Sequence, residues 1–233
     1  MIAGFFIKAA AVMASLYGMI KMYDGWMFFT YFTNISNILI DIILVLFLVL
    51  DVKMFLNQEV KRQVRNQKLY IIKYLFTISI TLTFLVYLCI LAPTSEGGFF
   101  HAYFKNGAAS FCVHFITPVL AILDFFLFDH EYQSTTRHVV YATFVPLCYV
   151  AAVLILANVF HVRWDEGMMA PYNFINYGAE AGWFGLELGT VNSQTVGVGA
   201  AYMILILLFI FIVLGELYLL GKNVRHKSIN KKQ

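Results

Sequence analysis

The chain has 233 residues, 61% of them hydrophobic and 12% charged, with a net charge of +3. A soluble domain is roughly 45–50% apolar, so water is not the main solvent of this protein. The small net charge implies no nucleic-acid partner, and apolar runs of about twenty residues exclude the alternating ten-residue segments of a membrane β-barrel.

The runs predict six transmembrane helices near 3–22, 27–51, 69–92, 108–128, 138–160 and 196–220, in a single integral membrane domain covering 1–233. In lipid each backbone group must be satisfied within its own segment, so the expected fold class is all-α, a polytopic membrane helix bundle. The first run resembles a signal peptide, but no small-residue cleavage site precedes polar sequence, and it is read as the first span. After the second run come Lys53, Lys61, Arg62, Arg65 and Lys68, and after the sixth come Lys222, Arg225, Lys227, Lys231 and Lys232. The segments between runs three and four and between five and six carry only Lys105 and Arg163 as basic residues. Basic flanks stay in the cytoplasm, which predicts both termini inside and the two poorly basic segments outside.

Within the second run, Thr30, Thr33, Asn34, Asn37 and Asp41 share one helical face. In the fourth, Ser110, His114, Thr117 and Asp124 form another stripe, and Pro118 is expected to bend the helix. Both runs enter from the outside, so Thr33 and His114 each fall about 9 Å below the outer boundary, at about 1.5 Å per residue. Asp41 and Asp124 form a deeper carboxylate layer, for which Lys73 near the inner end of the third run is a candidate partner. Cys89, Cys112 and Cys148 stand singly and read as buried free thiols. The outer segment 161–195 holds Trp164, Tyr172, Phe174, Tyr177, Trp183 and Phe184, as interfacial anchors or as a cap over a cavity.

Such stripes have two readings. Hydroxyls and amides between membrane helices form hydrogen bonds that hold a bundle together. The same groups also suit acyl transfer: a threonine hydroxyl needs a base to take its proton, neutral imidazole serves near neutral pH, and amide N–H groups stabilise an oxyanion. Thr33 is then the candidate nucleophile, His114 the general base, and Asn34 and Asn37 the oxyanion or substrate-positioning groups. Asp41, Asp124, Thr117 and Lys73 form a supporting polar core. The dispersed histidines show no metal-ligand cluster, and no cofactor is implied.

The string Tyr31-Phe32-Thr33-Asn34-Ile35-Ser36-Asn37 resembles a signature of the androgen-induced-protein-like six-pass membrane family. So does His114-Phe115-Ile116-Thr117-Pro118 with the following Asp124, while Pro171-Tyr172-Asn173-Phe174 resembles the bacterial branch. The resemblance implies an intramembrane threonine hydrolase acting on lipid esters, such as fatty acid esters of hydroxy fatty acids. It also implies Thr33 and His114 as the essential pair and a bacterial inner membrane as the setting. This chain departs from the animal pattern around the threonine. Two other classes stay open: a small-solute or proton transporter or channel using Asp41 and Asp124, and a noncatalytic membrane scaffold.

Overall fold

The computed structural model describes residues 2–56, 66–93, 95, 97–104, 107–133 and 135–230, with side chains in the last helix as far as Asn223. Lys61, Arg62, Arg65, Lys105, Lys231 and Lys232 lie outside the described residues, as do the side chains of Arg225 and Lys227. The long helices are α1 (Ile2–Met22), α2 (Phe32–Leu56), α3 (Gln67–Leu91), α5 (Ala109–Phe128), α6 (Arg137–Asn158) and α7 (Ala200–Asn230), with a short α4 (Gly98–Phe104). Strand pairing among the described residues is limited to one isolated bridge, Leu186 to Val198.

Five helices, α1, α3, α5, α6 and α7, are long and apolar enough to cross a membrane. The chain is therefore an all-α, multi-pass membrane protein. Helix α2 is 25 residues long but is not one of these five, and its interior carries Asn34, Asn37 and Asp41. It also starts later than the sequence suggests. A 3-10 turn, Trp26–Thr30, comes first, and Tyr31 is extended. The last helix likewise begins at Ala200 rather than 196, because Gly197 has φ +72° and a Cβ there would lie 2.4 Å from the Glu187 carbonyl oxygen. Helix α4 lies in the segment between the third and fourth runs.

The fold divides into two compact units, Thr143–Val213 and the remainder. In the larger one, α1 buries Gly4, Lys8, Ala11, Ser15 and Gly18 along one face, while Phe6, Met13 and Ile20 on other faces are 64%, 64% and 73% exposed. Polar groups inside and large apolar groups outside is the arrangement lipid demands. Small residues let α1 lie close against α5. A Cβ on Gly4 would meet Phe128 at 2.9 Å, and one on Gly18 would meet Val113 at 2.6 Å and the Ala109 carbonyl at 2.7 Å. Between them, the Thr117 hydroxyl donates to the Ala11 carbonyl at 3.4 Å, so the two helices run antiparallel. Helices α1, α2, α3 and α5 alternate in direction, as Ser15–Asn37 with Lys8–Asp51, and Ser36–Thr83 with Phe47–Tyr70, show.

The bend expected at Pro118 takes a definite form. Proline has no N–H for the carbonyl of His114 four residues earlier. The chain there widens into a π turn, Cys112–Ile116, in which the Thr117 N–H donates to the Cys112 carbonyl. A second π turn, Tyr87–Leu91, ends α3. The cysteines are free, but Cys89 and Cys148 are exposed and Cys112 is half-buried, so the expectation of buried thiols fails for the first two. Apolar spans face lipid as well as protein, and apolar sequence does not distinguish the two.

The smaller unit contains the long segment after α6. It folds on itself: the Glu166 carboxylate accepts from the Ser193 hydroxyl at 2.7 Å and from the Gln194 amide at 2.9 Å, and Tyr177 stacks on Trp183 at 4.6 Å. Asn176 ties the same segment together, donating to the Gln194 carbonyl at 2.9 Å.

Candidate functional site

Thr33 lies in the first turn of α2 and His114 in the π turn of α5, and both are buried, at 9% and 6% exposure. Asn37 links their segments. One turn below Thr33, its side-chain amide donates to the Thr33 carbonyl at 2.9 Å and to the Val113 carbonyl at 3.3 Å. Its side-chain oxygen accepts from Ser15 at 3.2 Å, joining α1 to the same layer. Both amide hydrogens of Asn37 are thereby engaged, which makes it a positioning residue. Asn34 donates to the Phe28 carbonyl at 2.8 Å, and an amide has a second hydrogen to offer.

His114 is fixed by its own helix. Its Nδ1 lies 2.9 Å from the Ser110 carbonyl and 3.2 Å from the Ser110 hydroxyl. A carbonyl oxygen only accepts, so Nδ1 carries the hydrogen and Nε2 of a neutral ring keeps its lone pair. Tyr87 stacks on the imidazole with ring centroids 3.6 Å apart. The Tyr87 hydroxyl donates to the Ala102 carbonyl at 2.7 Å and meets the Ser110 hydroxyl at 2.9 Å, so α3, α4 and α5 converge on the histidine. Because Nδ1 is turned to Ser110, Nε2 is the nitrogen left for base chemistry, and the Ser110 hydroxyl serves to orient the ring. π turns of this kind recur at functional sites.

The expected carboxylate layer splits in two. Asp124 bridges Lys8, at 3.1 Å, and Lys73, at 2.5 Å, and Lys73 also pairs with Asp129 at 2.7 Å. Lys8 pairs in addition with Asp51 at 3.2 Å, and Lys222 of α7 donates to the carbonyls of Phe125 and Asp129. Lys73 thus has Asp124 as partner but not Asp41, whose two carboxyl oxygens are buried without a hydrogen-bond partner among the described residues. The physical reason is register: Asp51 at the far end of α2 is level with Lys8, and Asp41 lies between the charged cluster and the Thr33 layer. Thr117 is fully buried and ties α5 to α1, as a supporting residue would. Among the described residues, no three His, Cys, Asp or Glu side chains converge as metal ligands would.

Sequence reasoning missed Tyr87, Ser15, Lys8, Asp51 and Asp129. Lys8 and Asp51 had a signal, since each is a charge within a predicted span. Ser15 had a weaker one, as part of a run of small residues at helical spacing. Tyr87 had none, because a tyrosine near the end of an apolar run reads as an interfacial anchor. Comparison with family models, curated proteins and solved structures gave no match, so the functional reading rests on the residues and their geometry.

Proposed function

We propose that the protein is an intramembrane hydrolase of lipid esters, with Thr33 as nucleophile and His114 as general base. The observation that carries this reading is the His114 ring, whose Nδ1 faces the Ser110 carbonyl and whose Nε2 is left to accept a proton, in a layer that Asn37 joins to Thr33. In the proposed reaction the Thr33 hydroxyl oxygen attacks the ester carbonyl while Nε2 takes its proton. The free N–H of Asn34 stabilises the oxyanion. The tetrahedral intermediate collapses, the imidazolium returns the proton to the departing alcohol, and water then releases the acyl group from Thr33 by the same route in reverse.

A membrane-buried layer suits an ester whose acyl chain enters from the lipid. The resemblance of the Thr33 and His114 strings to intramembrane threonine hydrolases supports fatty acid esters of hydroxy fatty acids as the substrate class. In this reading α2 is the sixth span, both termini are cytoplasmic, the Thr33 layer faces outward, and the protein resides in a bacterial inner membrane. The test is labelling of purified protein by an acyl-directed serine/threonine hydrolase probe, comparing wild type with Thr33→Ala and His114→Ala. Labelling and ester turnover should vanish in both variants. Equal activity in all three folded proteins rejects the mechanism.

A further inference from the structure

The buried charges of this bundle do not balance. Among the described residues, the buried lysines are Lys8, Lys73 and Lys222, and the buried aspartates are Asp41, Asp51, Asp124 and Asp129. Lys8 engages Asp51 and Asp124, Lys73 engages Asp124 and Asp129, and Lys222 donates to the Asp129 carbonyl. Three positive charges thus meet three negative ones in a single cluster. Asp41 is the fourth carboxylate. It is 6% exposed, and neither of its oxygens has a hydrogen-bond partner among the described residues.

An ionised carboxylate in such a place costs several kcal/mol unless a positive charge joins it. The buried lysine, aspartate and histidine side chains on the helices packed against α2 are Lys8 on α1, Lys73 on α3, and His114 and Asp124 on α5. Both lysines are held by other aspartates, and His114 is turned to Ser110. The surroundings of Asp41 nonetheless supply oxygen atoms. The Ser15 hydroxyl lies beside it. Its single hydrogen can serve either the Asp41 carboxyl or the Asn37 oxygen, 3.2 Å away, and its oxygen retains lone pairs for a cation or a carboxylic O–H. Asn37 sends both N–H groups the other way, to the Thr33 and Val113 carbonyls, and so presents oxygen on the α1 side.

We propose that Asp41, with the Ser15 hydroxyl and the Asn37 side-chain oxygen, forms a site within the bundle for one monovalent cation, a proton or a sodium ion. A single positive charge completes the balance; a divalent ion would reverse it. Hard oxygen donors suit both occupants. The site shares Asn37 with the proposed hydrolytic layer, but its test reads cation binding and does not depend on ester hydrolysis.

The test uses the purified full-length protein in detergent, with sodium chloride and choline chloride buffers of equal ionic strength. If the occupant is a proton, the infrared spectrum at neutral pH contains a protonated-carboxyl C=O band that Asp41→Asn removes. If it is sodium, equilibrium dialysis with radioactive sodium finds one ion per chain, thermal stability is higher in sodium than in choline, and Asp41→Asn abolishes both effects. Should Asp41→Asn not fold, Ser15→Ala keeps the carboxyl and removes one oxygen, so it shifts the carboxyl band or weakens sodium binding severalfold. A wild-type protein with neither the band nor sodium binding overturns the proposal, as does a band or a sodium affinity that neither substitution alters.

Discussion

Asn37 on α2 reaches the carbonyl of Val113 on α5, at 3.3 Å, with the amide group that also holds the carbonyl of Thr33 at 2.9 Å. The residue before His114 and the residue proposed as nucleophile therefore share one donor. Asn37→Asp keeps the shape and removes both donated hydrogens, leaving the Val113 carbonyl without its cross-helix partner. A loss of about 1–3 kcal/mol of stability is expected. Ester turnover should fall much further than folding, because the spacing of the two segments is what changes. Thermal unfolding alongside single-turnover kinetics separates the two effects, and a turnover loss no larger than the folded fraction predicts would remove Asn37 from the site.

Tyr87 tests how His114 is held. Tyr87→Phe keeps the stacked ring, at 3.6 Å, and loses the hydroxyl that meets Ser110 and the Ala102 carbonyl. Tyr87→Leu loses the stack as well. Probe labelling should decline modestly in the first variant and strongly in the second. Equal labelling in the two variants would mean that the ring contact has no part in positioning the imidazole.

The lysine–aspartate cluster should dominate stability. Lys73 contacts both Asp124 and Asp129, and all three are nearly or fully buried. Removing one partner of a buried pair leaves an uncompensated charge, a loss of about 3–5 kcal/mol. Lys73→Met is expected to lower the unfolding temperature sharply, and Lys73→Met with Asp129→Asn should recover part of the loss. No recovery in the double variant would show that packing around Lys73, not charge, is what the single variant disturbs.

Close approach of α1 to α5 depends on Gly18, where a methyl group would meet Val113 at 2.6 Å and the Ala109 carbonyl at 2.7 Å. Gly18→Ala should destabilise by about 1–3 kcal/mol through overpacking. Met13→Ala, on a face that is 64% exposed, is the control and should change detergent-phase stability little. Comparable thermal stability in the two variants would contradict the packing.

The segment after α6 carries its own pH dependence. Hydrogen bonds from Ser193 and Gln194 hold the Glu166 carboxyl below its ordinary value of 4.5. A depressed carboxyl contributes order that is present above the unfolded value and lost as pH falls through the folded one. Hydrogen-exchange protection at residues 192–195, taken relative to the intrinsic rate at each pH, should therefore be constant near neutrality and fall in acid below pH 4.5, and Glu166→Gln should flatten that response. Identical profiles for the two proteins would refute the assignment.

Hydrophobic runs located the six long helices and their approximate ends, five of them long and apolar enough to cross a membrane, but not the short α4, because a span must satisfy its own backbone in lipid and its length is fixed by bilayer thickness. Polar periodicity likewise brought Thr33, Asn34 and Asn37 to one face and His114 to a matching depth, since the rise of a helix converts sequence number into distance. That same arithmetic failed for the deeper layer. Asp41 and Asp124 are similar in depth by counting, yet Asp124 belongs to the lysine cluster and Asp41 does not.

What sequence alone determined was the membrane, the helices and the identity of the polar groups within them, all consequences of local composition and period. Tertiary structure decided which of those groups meet. It gave Lys73 to Asp124 and Asp129, turned His114 to Ser110 beneath Tyr87, engaged both hydrogens of Asn37, and left Asp41 outside the lysine cluster. These outcomes depend on helix register, on a π turn where Pro118 withholds a hydrogen, and on glycines that set how closely helices approach. They arise between segments distant in the chain, and no single run of residues encodes them.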